Sequence, residues 1–261
     1  MTDAFSLDDR GLLLGDGLFE TMLWTGGDLP HLDAHLARMA AGCETLGLPP
    51  FDLARARTLC LAAPGEAGLA EGRAAVRLTL TAGSGGRGLD RPAAPVPRLA
   101  VRTAAAPPVT TPVDLVLAKT RRNEGSPAAR LKTLSYVDNV LARAEAKAAG
   151  ADEAVMRNNH GDLTCAAAAN LFWVAGGSLY TPALHCGVLN GIARGRVLEA
   201  ARALDVDIHE VATGAEALDE AEAVFLTNSL IGVRPARRFE GESFGPHALV
   251  ERLREALGEP G

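Results

Sequence analysis

Lysine is rare in this chain: Lys119, Lys132 and Lys147 are the only three, among 26 lysines and arginines. A GC-rich coding bias would favour arginine and alanine together. A lysine kept where arginine is the default still marks a place where an amine is wanted. An amine can lose its proton and attack a carbonyl, which a guanidinium cannot. Lys132, in "LKTLSYVDNV" (131–140), is the candidate nucleophile. The alternative is a solvated surface charge, which is what most lysines are.

Two stretches could hold an anion. "VLNGIARGRVLEAA" places Gly191 just before a helix, whose first backbone N–H groups lack intrahelical partners and carry partial positive charge. A phosphate there would be bound by the amides of Ile192 and Ala193. "TNS" (227–229) puts small hydroxyl residues at the end of an apolar strand, where they would meet an anion or cap the next element. Arg38 is either a helix-borne anion ligand or a surface pair, with Glu44 at imperfect spacing. Arg87 sits among glycines, as a mobile loop charge or an anion clamp.

Elements that would position these residues follow from periodicity. "LFETMLW" (18–24) reads as a strand, and 31–48 as an amphipathic helix with Leu32, Leu36, Met39, Cys43 and Leu46 on one face. Gly47 marks its end. Residues 52–63 predict a second helix, stopped by Pro64-Gly65. Val76, Leu78 and Leu80 alternate in a strand (74–83) that runs into the Gly-rich "GSGGRGLDRP", and 97–105 is another strand. Prolines in "AAAPPVTTP" (104–112) make a semi-stiff connector. The expected domains are 1–106 and 113–261, with a linker at 107–112. The second half reads as a strand (113–120), a polar loop, a helix (136–150) and strands at "DEAVMRN", "NLFWVAG" and "SLYTP". A helix (192–204), the strand "VDIHEVA", a short helix "AEALDEA" and the strand "AVFLTNS" follow. The pattern is two mixed α/β halves.

Composition narrows the functions. The net charge of −6 disfavours nucleic acid or an anionic membrane as a general partner. Cys43, Cys60, Cys165 and Cys186 form no C-x-x-C pair, and no metal site is expected. The acidic "MTDAFSLDDR" lacks the apolar run of a signal peptide. The expectation is a cytoplasmic protein with reduced thiols.

Taken together, seven segments in order resemble the class IV aminotransferases, the fold-type IV family of branched-chain and D-amino acid aminotransferases and aminodeoxychorismate lyases. They are "DDRGLLLGDGLFETM" (8–22), "HLARM" (35–39), "LTLTAGSGGRGL" (78–89), "RLKTLSYVDNVLARAEA" (130–146), "ANLFWVAGGSLYTPAL" (169–184), "GVLNGIARGRVLE" (187–199) and "VFLTNSLIGVRPA" (224–236). The resemblance implies a two-domain α/β (α+β) fold, with a smaller N-terminal domain and a larger C-terminal pseudo-barrel domain, assembled as a homodimer.

It also implies pyridoxal 5′-phosphate. Lys132 would hold it as a Schiff base and move the proton between the substrate Cα and the cofactor. Arg38 would bind the phosphate by its fork of donors. The amides of Ile192 and Ala193 and the hydroxyl of Ser229 would complete the phosphate cup. Tyr136 would reach the phenolic oxygen or simply pack in the core. Three departures stand out. The family often has Thr where this chain has Ala193. Many relatives have Arg where it has Ala82, which leaves Arg87, or Arg121 and Arg122, to take the substrate carboxylate. The family's Glu facing the pyridine nitrogen is matched by Cys165. That thiol would ionise beside the ring, or donate weakly to an unprotonated ring and leave a weaker electron sink, or yield the role to Asp162. It could also be a small buried hydrophobe with no ring contact. The weaker sink is the preferred reading.

Three functions follow from the resemblance. The first is an aminotransferase acting on an amino acid and a keto acid. The second is 4-amino-4-deoxychorismate lyase, forming 4-aminobenzoate and pyruvate for folate synthesis, toward which "ANLFW" and "TNSLIGV" lean. The third is a pyridoxal phosphate-binding protein with little catalysis. The changed ring partner and loop place the aminotransferase slightly first.

Overall fold

The computed structural model describes residues 5–258, which pack as two units. One comprises the chain up to Pro108 together with Leu131–Ser135, and the other Val109–Arg130 with the chain from Tyr136 onward. The division is therefore not one cut in a linear chain. The five residues around Lys132 belong to the first unit.

In the first unit a short helix α1 (Arg10–Leu14) precedes strand β1 (Gly17–Trp24). Helices α2 (Leu32–Leu46) and α3 (Leu53–Glu66) follow, then β2 (Ala74–Thr81) and β3 (Arg98–Ala105). The strands form an antiparallel sheet in the order β1-β2-β3. Val76, Leu78 and Leu80 are fully buried on one face, as period-2 alternation requires. Leu32, Leu36, Met39 and Cys43 of α2 and Ala56, Leu59 and Cys60 of α3 close the same core. Each buried Leu or Met side chain contributes about 1.5–3 kcal/mol. Gly47 ends α2 in the left-handed conformation at φ 63°, its amide bonding back to the last carbonyls. Helix α3 corrects the sequence expectation, because Pro64 lies inside it and the helix runs on to Glu66. Pro64 sits in the last turn, so it removes a single helix hydrogen bond close to the end, and its own carbonyl accepts from Leu69.

The second unit contains β4 (Val113–Arg122), α4 (Val137–Ala148), β5 (Glu153–Asn158), β6 (Leu163–Ala166), β7 (Asn170–Ala175), β8 (Ser178–Pro182), α5 (Ile192–Ala203), β9 (Ile208–Val211), β10 (Ala223–Asn228), β11 (Gly232–Phe239), β12 (Glu242–Ser243) and α6 (Ala248–Ala256). Strands run β10-β11-β4-β5-β6-β7, and β10 also pairs with β7, so these six close into a ring. That is the expected pseudo-barrel. Beyond the ring, β8 and β9 extend from β7, and β12 pairs with β11. Alternation sorts the faces. Leu171 and Trp173 pack with Val155, Leu163, Val224 and Leu226. Phe172, Val174 and Phe225 turn the other way, against Val197 and Leu198 of α5 and Leu253 of α6. β4 and β5 pair in parallel, so a crossover must join them, and α4 packs on both strands. Residues 215–221, read as a short helix, form only a 3-10 turn (Ala215–Leu218). No helix of the described residues is long and apolar enough to cross a membrane.

Candidate active site

Within the first unit, the lysine segment lies along β1. Phe19 N donates to Lys132 O (2.9 Å), Leu134 N donates to Gly17 O (3.0 Å), and Thr133 bridges Leu18. The backbone around Lys132 is thus fixed like a short added strand. Its half-buried side chain places Nζ 4.4 Å from the centroid of the Phe19 ring, and the Arg77 guanidinium carbon lies 3.7 Å from the same centroid. Cation–ring attraction therefore helps hold the amine.

Arg38 projects from α2 toward the sheet, and its partner is Glu20 on β1 rather than Glu44. Nε and Nη2 of Arg38 donate to the two Glu20 oxygens at 2.8 and 2.6 Å. Nδ1 of His35, one turn earlier on α2, donates to Glu20 Oε2 at 2.7 Å. An ionised carboxylate only accepts, so that His35 nitrogen carries the proton. Glu20 is 1% exposed. Burial pushes its carboxyl up, but the hydrogen bonds and charges of His35 and Arg38 outweigh that and hold it below the usual carboxylate range. Sequence reasoning passed over Glu20 and His35, although both stand inside quoted motifs, "LFETM" and "HLARM".

The Gly-rich loop between β2 and β3 is built around Arg10, which was also missed. Arg10 is 4% exposed. Its Nη1 donates to the carbonyls of Asp90 (3.0 Å), Gly88 and Gly85, its Nη2 to Leu89 O (2.9 Å), and its Nε to Asp16 (2.9 Å). Arg91 adds a bidentate pair with Asp16. Arg91, helped by Arg10, holds the Asp16 carboxyl below the usual range. Gly86 has φ 83°, and a Cβ there would lie 2.1 Å from Asp90 O, so the wrap requires glycine. Arg87 is exposed on this loop and bridges Asp90 through backbone.

In the second unit, helix α5 begins at Ile192 with Gly191 as its N-cap. No side chain of the described residues caps it. The first i→i−4 bond runs from Gly195 N, so the amides of Ile192, Ala193 and Arg194 precede the helix ladder. Asn170 fastens the approach: its Nδ2 donates to Leu189 O (2.9 Å). A Cβ on Gly191 would lie 2.1 Å from Asn170 Oδ1, which leaves room only for glycine. Asn228 organises the turn after β10. Its Oδ1 accepts from the amides of Leu230 and Ile231, and its Nδ2 donates to Ala168 O. Half-buried Ser229 lies in that turn, and the buried Thr227 hydroxyl beside it has no partner among the described residues. An uncapped helix start and an unused hydroxyl are the donor chemistry an anion needs.

Cys165 lies in β6, buried, with its Cα opposite Asn170 on β7. The Thr164 hydroxyl donates to Met156 O and lies 3.7 Å from the Cys165 sulfur. Asp162, the alternative carboxylate, accepts from Asn158 Nδ2 (2.9 Å) in the β5–β6 turn. Leu163 and Thr164 lie between it and Cys165, about 10 Å along a strand, and its hydrogen bonds are made within the turn. Tyr136 is half-buried at the N-cap of α4. Arg121 and Arg122, expected in a loop, are the last two residues of β4, and their side chains part company. Arg121 is exposed, with Nη1 donating to Asn158 O. Arg122 is 8% exposed and gives Nε to Gly187 O (3.0 Å), Nη1 to Asn139 Oδ1 (3.3 Å) and Nη2 to Ala129 O (2.5 Å). So enclosed, Arg122 ties loops together.

The fold and these motifs define a class that comparison with known proteins makes explicit. The family model for amino-transferase class IV matches residues 17–239. A solved 4-amino-4-deoxychorismate lyase from Pseudomonas aeruginosa is 34% identical, covering 98% of this chain and 95% of that one, with a TM-score of 0.88. The aminodeoxychorismate lyase of Vibrio harveyi is 29% identical over 88% of this chain and 85% of its own. The D-alanine aminotransferase of Bacillus licheniformis is 26% identical over 97% and 90%. The chain belongs to the class IV aminotransferase family, and it is an enzyme of that family.

Proposed function

We propose that this enzyme uses pyridoxal 5′-phosphate to labilise the Cα–H bond of an amino acid, and that its reaction is the aminodeoxychorismate lyase reaction. The carrying observation is likeness to such a lyase over 98% of this chain, supported by a Lys132 segment fixed along β1 and, separately, by an uncapped start of α5. The lyase stands ahead of the aminotransferase on the 34% identity to the solved Pseudomonas aeruginosa lyase; among the curated relatives the identities overlap, 26–29% for lyases and 26–28% for the near-full-length putative branched-chain and D-alanine aminotransferases. The aminotransferase reading keeps its own support in that near-full-length match and in the changed residue at position 165.

The residues present fit the cofactor. By the family resemblance Arg38 would take the phosphate and the Lys132 amine the aldehyde. The amides of Ile192 and Ala193 and the hydroxyl of Ser229 would take phosphate oxygens, and Tyr136 would reach the phenolic oxygen. Bound, the cofactor supplies an electron sink for the charge left when Cα loses its proton. Lys132 takes that proton and returns it, so its amine must alternate between neutral and charged forms. Cys165 offers no carboxylate, so a ring nitrogen facing it would stay unprotonated and the sink would be weaker. Arg87, in the β2–β3 loop, or Arg121, near the end of β4, both exposed, would receive the substrate carboxylate. A second copy of the chain is the expected partner, in keeping with exposed Leu12, Leu13 and Leu89 on the first unit and Val137 and Val140 on the second.

The test is an absorbance spectrum of purified protein with added cofactor, repeated on Lys132→Ala. A visible band lost in the variant supports the cofactor reading, and no band in either sinks it. Pyruvate and an aromatic amine released from aminodeoxychorismate without any keto acid support the lyase. Conversion of the bound cofactor to its amine form by a D- or L-amino acid alone supports the aminotransferase instead.

A further inference from the structure

We propose that Glu20 and His35 are positioning residues that aim Arg38 at the cofactor phosphate; this rests on the reading that Arg38 binds that phosphate. An arginine on a helix surface is a long side chain with many rotamers. Here Glu20 grips one edge of the guanidinium, taking Nε and Nη2 at 2.8 and 2.6 Å. Two parallel bonds to one carboxylate fix both the plane of the fork and its direction. Glu20 cannot swing away, because it is 1% exposed on a central strand position and His35 holds its second oxygen at 2.7 Å. His35 is itself 1% exposed. The chain of contacts runs from the α2 core face, through a buried carboxylate, to a guanidinium that is 18% exposed. A phosphate then meets a fork whose orientation is set before it arrives.

A rival physical account makes the opposite prediction. A carboxylate beside the arginine weakens its pull on a phosphate dianion, so removing the charge should tighten binding if charge alone mattered. Positioning predicts a loss instead.

The experiment titrates pyridoxal 5′-phosphate, and separately pyridoxal, which lacks the phosphate, into the intact protein. Wild type, Glu20→Gln, Arg38→Ala and the double variant are compared by absorbance. Positioning predicts that Glu20→Gln weakens pyridoxal phosphate about tenfold, equivalent to about 1.4 kcal/mol, and leaves pyridoxal unchanged. In the Arg38→Ala background the same change should add nothing, since both residues act on one contact. Should Glu20→Gln fail to fold, His35→Gln and His35→Leu carry the test. Gln still offers Glu20 a donor, so it should lose less phosphate-dependent affinity than Leu. Tighter or unchanged pyridoxal phosphate binding, equal losses for the two probes, or additive losses would overturn the proposal. A wild-type protein with no Lys132-dependent band brings down the functional reading and this inference together. A normal wild-type band with any of the other adverse results removes the inference alone.

Discussion

The two units solve one problem by different means. In the first, the residues near the candidate chemistry are held by buried charge: Glu20 with His35 and Arg38, and Asp16 with Arg10 and Arg91. In the second, the loops that would cup a phosphate are held mostly by neutral amides, Asn170 on Leu189 O and Asn228 on its own turn. Even the buried Arg122 addresses two carbonyls and an amide rather than an acid. The first unit has to orient a cationic side chain, and a buried carboxylate does that directionally. The second presents backbone amides, whose direction is set once the turn is set. Charge-held geometry is stiffer but sensitive to pH and to loss of a partner. Amide-held geometry loses less when broken.

Breaking the charge side should give the largest effect. Arg10→Met strands several loop carbonyls and leaves the buried Asp16 with Arg91 alone, and should destabilise the first unit by about 3–5 kcal/mol, read as a lower urea midpoint at unchanged slope. A shift under about 1 kcal/mol would mean that the Arg10 network is ornamental. On the amide side, Asn170→Ala should cost only about 1–3 kcal/mol, while weakening phosphate-dependent cofactor binding. Equal stability losses for the two variants would erase the contrast.

Acid should reach the paired carboxylates of both units. The carboxyls of Asp16 and Glu20 are held below their ordinary values in the fold. Their stabilisation is therefore present above the ordinary carboxylate pKa of about 4 and is lost as pH falls through the depressed values. In the second unit Arg237 and Arg238 likewise hold the Asp114 carboxyl down to about 2, so hydrogen exchange should show both β1–β3 and the β4–β11 edge of the ring losing protection in acid. At the alkaline end, burial pushes the thiol of Cys43 up to about 11 and that of Cys60 to about 12. The stabilisation they give is intact below the ordinary thiol value and fades as pH rises through those raised values. Neither thiol should react with a disulfide reagent in native protein at pH 8, and both should do so on unfolding. The smallest effect is expected at an exposed pair. Arg57 meets Asp33 on the surface, so Arg57→Ala should change stability by no more than about 0.5 kcal/mol.

Much of this molecule was legible before its structure. The apolar stripe of α2 and its Gly47 stop, the alternation of β2 and the glycine before α5 are local signals, written within one turn or one strand. They located Arg38 on a helix and Ile192 and Ala193 at the start of another. The strand β6, helix α6 and strand β11 were not read, because short or mixed runs carry little periodicity. Pro64 was read as a stop on propensity alone, and packing of the α3 core overrode it.

By itself, then, the sequence determined which residues carry chemistry and which faces are apolar, since both depend on residue type and spacing. Only the tertiary structure decided who their neighbours are. Glu20 and Arg38 are 18 positions apart, and Arg10 and Leu89 are 79 apart. Nothing local joins them. Sheet register brings Glu20 under α2 and Asp90 over Arg10, and the β7–β10 pairing closes the ring. A period says which way a side chain points along its own strand, but the strand lying alongside is chosen by the burial of the whole core.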